Sequence, residues 1–168
     1  MDNYIRRQIT LFVDESDAGT IEKIRREYNP IQSELIRCHV TLCREDEILK
    51  LEQVISNIGR LAVTDVTIEF GKVSRVDNGQ GLLLPATGDN EKFQDLRRQI
   101  LSGIIENPGR HEPHITLMHP RNSTCTDSIF EQVKKVVLPV KLKFKKISFI
   151  EQENGGTWKT LQEFDLNK

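Results

Sequence analysis

Polar and apolar positions along this chain switch repeatedly between a period of two and a period near four. "YIRRQITLFVD" (4–14) is rich in β-branched and aromatic residues and reads as a strand, closed by the turn and cap cluster "DESDAGT". "TIEKIRREY" (20–28) puts Ile21, Ile24 and Tyr28 on one helical stripe and stops at "NP". A strand is predicted over 34–43, "ELIRCHVTLC". A helix is predicted over 44–61, where Ile48, Leu51, Ile55 and Ile58 share a face and acids fill the first turn. "DVTIEFGKVSRV" (65–76) alternates as a strand, and "DNGQG" turns it into the short strand "LLLPA".

The pattern then restarts. A helix is predicted over 89–105, with Phe93, Leu96, Ile100 and Ile104 on its stripe, and a strand over 111–119, "HEPHITLMH". A Ser/Thr/Asp-capped helix (123–138), an alternating strand (140–152), the turn "ENGG" and a last strand (157–166) complete the chain. "HVTL" and "HITL" stand 75 residues apart (114 − 39), close to half of the 168 residues. The expected class is α+β, one domain over 1–168 built from two similar halves, about 1–76 and 77–168, related by an approximate twofold.

Side chains alternate across a strand, so His39 and Thr41 project to one face while Val40 and Leu42 anchor the other. His114 and Thr116 repeat the arrangement against Ile115 and Leu117. Two imidazoles facing a shared cleft suit a reaction that removes a proton at one atom and delivers one at another, because imidazole titrates near neutral pH. In-line phosphodiester cleavage has that geometry, with threonine hydroxyls donating to the phosphoryl oxygens. A single HxTL is more often a satisfied core or surface histidine; the pairing at half-chain spacing carries the functional reading.

Charge adds little: 24 Lys+Arg against 25 Asp+Glu exclude a global attraction to polyanions, so any nucleic-acid contact is local. Three cysteines, Cys38, Cys43 and Cys125, without CxxC spacing point to free buried thiols in a reducing compartment. The opening residues lack a signal-peptide h-region and no apolar run reaches membrane length, so a cytoplasmic, soluble protein is expected.

His111 and His119 each lie an odd number of positions from His114, so an unbroken strand puts them on the opposite face, and neither a zinc site nor any other cofactor is expected. His119 reads as a strand-end donor to substrate. Trp158 is core or a stacking platform at the cleft rim. Lys141, Lys143, Lys145 and Lys146 read as a solvated edge before an RNA contact, whereas Arg37, Arg44 and Arg121, near the motif strands, are the stronger phosphate candidates.

With "HVTL", "HITL", the N-terminal "RQITLFVD" and the terminal "ENGGTWKTLQEF", the whole chain resembles the two-histidine (2H) phosphoesterase superfamily and its 2′-5′ RNA ligase-like and cyclic phosphodiesterase branch. The resemblance implies a bilobal α+β fold whose antiparallel sheets line a central cleft with helices outside. It implies metal-independent hydrolysis of a 2′,3′-cyclic phosphate on an RNA end or nucleotide, with reverse 2′-5′ ligation as a companion activity. His39 and His114 would be the acid/base pair, and Thr41 and Thr116 would hold phosphate. Arg44, His119, Arg121 and Trp158 are the further candidate contacts. The alternatives are a cyclic phosphodiesterase for a small signalling nucleotide or ADP-ribose cyclic phosphate, and a non-catalytic module that binds RNA ends or nucleotides. The chain is expected to act as a monomer.

Overall fold

Most of the period-two segments assemble into a single antiparallel sheet in the computed structural model, which describes residues 3–62 and 64–166. The elements are β1 (Ile5–Phe12), α1 (Glu15–Tyr28), α2 (Pro30–Leu35), β2 (His39–Cys43), a 3₁₀ turn (Glu45–Glu47), α3 (Leu51–Gly59), β3 (Val66–Glu69), β4 (Ser74–Val76), β5 (Gly81–Pro85), α4 (Glu91–Ile100), β6 (His114–Met118), α5 (Asp127–Lys134), β7 (Lys141–Phe144), β8 (Lys146–Glu153) and β9 (Lys159–Asp165). Seven strands pair in the order β4-β5-β6-β2-β1-β8-β9, and β3 pairs with β7 in a separate ribbon. The class is α+β, as the pattern predicts.

Several boundaries differ from the sequence reading for local reasons. Helix α1 begins at Glu15 because Asp14 caps it, its carboxylate accepting the Ser16 N–H at 2.9 Å, so "DESDAGT" is cap and first turn. Pro30 opens α2, which takes Glu34 and Leu35 from the predicted strand and leaves β2 to start at His39. The predicted 44–61 helix is helical only from Leu51, because "EDE" makes a 3₁₀ turn that carries the Glu47 side chain inward.

The two long alternating segments do not run as single strands. Each breaks near its middle: β3 and β7 pair with one another, while β4 joins β5 and β8 joins β1. At the first break Phe70 bridges Ala86 and the Gly71 N–H donates to the Pro85 carbonyl at 2.8 Å, steering the chain into the other half. The halves therefore exchange their last matched strands. Strand β9 stands outside this exchange and closes the sheet beyond β8.

Alternation makes one face of the central strands apolar, and Ile9, Leu11, Val40, Leu42, Ile115 and Leu117 are all buried there. Each such side chain contributes about 1.5–3 kcal/mol on leaving water. Helix α1 packs against β6 and α4 against β2, so each half's helix covers the motif strand of the other. That leaves the opposite, polar face of β2 and β6 open. Among the described residues no helix is long and apolar enough to cross a membrane.

Candidate active site

Strands β2 and β6 lie side by side, antiparallel, with Val40 opposite Ile115. Their exposure patterns are the same, half-buried His and Thr alternating with buried aliphatics. His39, Thr41, His114 and Thr116 therefore meet in one cleft of about 200 Å³. Each ring hangs from a backbone carbonyl two residues before it: His39 Nδ1 lies 2.8 Å from the Arg37 oxygen and His114 Nδ1 lies 3.0 Å from the Glu112 oxygen. A carbonyl only accepts, so each Nδ1 carries a proton, and Nε2 of the neutral ring is left as a base.

The two rings differ in setting. His39 meets the edge of Phe12 (centroids 6.0 Å apart), and the Arg37 guanidinium covers the Phe12 ring at 4.4 Å. Burial pushes the His39 pKa down to about 4; the Arg25 guanidinium and His114 act in the same direction, against the bond to the Arg37 carbonyl. His39 is consequently neutral at pH 7. His114 instead has the His111 ring beside it, centroids 5.8 Å apart.

Of the further candidates, His119, Arg121 and Trp158 line the same cleft. His119 Nδ1 accepts the Arg121 N–H at 3.0 Å, so the neutral ring keeps its proton on Nε2, and burial lowers its pKa. Trp158 is a rim residue, with the Arg6 guanidinium 5.3 Å above its ring. Arg44 borders an adjoining hollow of about 680 Å³ that shares Thr41 and His114 with the cleft, and it pairs with Glu47 at 3.6 Å. Arg37 is committed to Phe12.

The opposite-face expectation for His111 and His119 fails because β6 spans only His114–Met118. Both fall outside the strand, where parity no longer fixes direction, and both come round to the His114 side. Among the described residues no group of three or more His, Cys, Asp or Glu side chains is placed to hold a metal ion. Lys141, Lys143 and Lys146 pair with Glu69, Asp65 and Glu163, as a solvated edge would. The three cysteines are free and buried.

Arg6, Gln8 and Arg25 are among the cleft residues that escaped the sequence reading. Each left a signal. Arg6, Gln8 and Thr10 are polar at every second position of a strand beside β2 whose other positions, apart from Arg7, are apolar, and Arg25 sits on the buried stripe of α1 next to Ile21 and Ile24. The Arg25 guanidinium is held by Glu22 at 2.7 Å and the Ile36 carbonyl at 2.9 Å. The Gln8 amide nitrogen donates to Thr41 Oγ1 at 2.8 Å.

A duplicated α+β unit with paired HxTL strands under one polar cleft is the architecture of the two-histidine phosphoesterases. The chain belongs to the 2′-5′ RNA ligase superfamily, whose sequence pattern matches residues 13–156. Among solved structures it is similar to apo Escherichia coli LigT, with a TM-score of 0.65 at 13% identity over 100% of both chains. E. coli LigT complexed with 3′-AMP aligns at TM-score 0.60 and 14% identity, over 97% of this chain and 98% of that one. The protein TT0787 of Thermus thermophilus aligns at TM-score 0.56 and 17% identity, over 96% and 97%. A search of curated proteins finds no match.

Proposed function

We propose that this protein opens a 2′,3′-cyclic phosphate on a ribonucleotide or RNA end. The observation that carries the reading is the matched pair of imidazoles, each fixed through Nδ1 to a carbonyl two residues back, sharing one cleft with two threonine hydroxyls. The cleft's flanks are cationic, with Arg6, Arg25 and Arg121 around it. E. coli LigT, which has this fold, has been captured with 3′-AMP and with phosphate, which supports a nucleotide phosphate as the ligand class.

In the proposed step water attacks phosphorus while His39, the neutral ring, accepts its proton on Nε2. One phosphorus–oxygen bond to the ribose breaks, and a protonated His114 gives that oxygen its proton. The product is a ribonucleotide phosphomonoester, and the two rings exchange protons with solvent before the next turnover. With a ribose 5′-hydroxyl attacking phosphorus in place of water and the 3′ oxygen leaving with the proton, the same step forms a 2′-5′ linkage and is ligation. Thr41, Thr116 and His119 are assigned as donors to the non-bridging oxygens.

The test is a panel of 2′,3′-cyclic nucleotides, cyclic-phosphate-ended RNA, ADP-ribose cyclic phosphate and cyclic dinucleotides, with product analysis and with chelator present. Hydrolysis that survives chelation, and that falls about 10²–10⁴-fold in both His39→Ala and His114→Ala while the fold persists, is the expected result. Full activity in either variant would sink the assignment.

A further inference from the structure

We infer that Gln8 is a positioning residue whose side-chain amide turns the hydroxyl proton of Thr41 into the cleft, making Thr41 rather than Thr116 the oriented donor to phosphate. The inference rests on the phosphoester reading above. Gln8 Nε2 lies 2.7 Å from Thr10 Oγ1 and 2.8 Å from Thr41 Oγ1. An amide nitrogen has two N–H groups, and both have a hydroxyl oxygen to donate to. A hydroxyl that accepts such a bond keeps one free lone pair and its single proton, which must point away from the donor. For Thr41 that leaves the cleft, where the phosphoryl oxygens would lie.

The backbone builds this contact. Thr10 and Thr41 are cross-strand partners in the β1–β2 pairing, and the register shift between Ile9 and Thr10 offsets the strand next to Gln8. Thr10 is fully buried and anchors the second N–H, which stops the amide from rotating. The other half has no such device. Seventy-five positions on from Gln8 and Thr10 stand Leu83 and Pro85, neither with a side-chain donor. Among the described residues no group hydrogen-bonds the Thr116 hydroxyl, so no counterpart of Gln8 orients its proton. An amide turned the other way would draw the Thr41 proton onto its oxygen, out of the cleft, so the sign of a Gln8 substitution separates the two orientations.

The experiment is a set of double-mutant cycles. The variants are Gln8→Leu, Thr41→Val, Thr116→Val and the two pairings of Gln8→Leu with each threonine change. The readouts are kcat/KM on a 2′,3′-cyclic nucleotide and the affinity for inorganic phosphate by calorimetry. Gln8→Leu is expected to lower both by about 5- to 10-fold, the worth of one oriented neutral hydrogen bond. In the Thr41→Val background it should change neither by more than about 2-fold, whereas in the Thr116→Val background the full loss should multiply through. Equal losses in both backgrounds would mark a general structural role, and an unchanged or raised kcat/KM would mean the opposite amide orientation; either overturns the inference. If Gln8→Leu does not fold, the straight-chain Gln8→Met takes its place. A wild-type protein that binds phosphate yet opens no cyclic phosphate defeats the reaction assignment while the calorimetric cycle still decides Gln8. One that does neither defeats both.

Discussion

A step of 75 positions that carries His39 onto His114 also carries β3 onto β7 and sets α3 beside α5 in register. The same step turns Arg6 into Gly81, Gln8 into Leu83, Arg25 into Ile100, Arg44 into His119 and Ile36 into His111. The backbone and the buried aliphatics repeat, and the polar residues facing the imidazoles do not. In the acid/base step proposed above one ring starts neutral and the other protonated, a division that unlike surroundings favour. Duplication supplies the opposed pair. The unshared residues then give its members different surroundings, with Phe12 and the Arg25 guanidinium near His39 and a second imidazole beside His114.

The largest effect expected from breaking this comparison lies in the buried ion pairs. Glu22 and Arg97 occupy equivalent positions with opposite charge. Arg97 meets Glu47 through two bonds, at 3.0 and 2.7 Å, and also holds the Leu42 and Gly109 carbonyls, tying the end of β2 to the approach to β6. Glu22 holds Arg25 and the Cys38 N–H but is more open to solvent. Glu47→Ala is expected to cost about 3–5 kcal/mol, since it strands a buried guanidinium. Glu22→Ala should cost about 1–3 kcal/mol, closer to the loss of a partly exposed partner. Urea unfolding of both variants checks the order, and a reversed order would mean that the first half carries the stronger clamp.

Acid should act next. His39 and His111, one from each half, both have pKa values pushed down to about 4, chiefly by burial. The unfolded chain binds protons at its histidines from about pH 6.5 downward. Between those values the unfolded state holds more protons than the folded one, so stability is complete above about pH 6.5 and falls as pH drops toward 4. Each ring contributes up to about 1.4 kcal/mol per pH unit in that window. His111→Leu, which imitates the aliphatic at the equivalent position, should flatten the slope by one ring's share. An unaltered slope of melting temperature against pH would show that His111 is not held neutral.

The repeated tetrapeptide was legible because it needs only alternation: one residue of context on either side fixes which face His39, Thr41, His114 and Thr116 share. His119, Arg121 and Trp158 were within reach because they follow a motif strand or a glycine turn. What sequence could not carry was the exchange of β4 and β8 between halves. In "VTIEFGKVSRV" the alternation holds to Phe70 and slips at "GK", but the slip does not say what each piece pairs with, and only the tertiary partners reveal two strands in two sheets. The face of His111 was lost for a related reason, since parity holds only while the strand lasts and β6 is short. Arg6 and Gln8 were hidden because their meaning depends on β1 lying beside β2, a pairing that no local pattern encodes.

The smallest effect concerns a contribution from outside the duplicated elements. Arg6, where the second half has Gly81, lines the cleft with its guanidinium over the Trp158 ring at 5.3 Å, and its Nε reaches Glu45 at 3.2 Å. The tryptophan is seated by its backbone N–H, which donates to the Leu35 carbonyl at 2.9 Å. A cation over an aromatic face is worth about 0.5–1 kcal/mol at a site this open, so Trp158→Ala should release Arg6 and raise KM for a nucleotide cyclic phosphate about 2- to 5-fold. The turnover step does not use this contact, and kcat should hold. Trp158→Phe keeps a ring beneath the guanidinium and should stay near wild type. Because the effect runs through a charge, it should shrink as salt is raised. A fall in kcat with KM unchanged would instead place Trp158 in the chemistry of the twofold pair, and the C-terminal turn would then belong to the reaction as much as either histidine strand does.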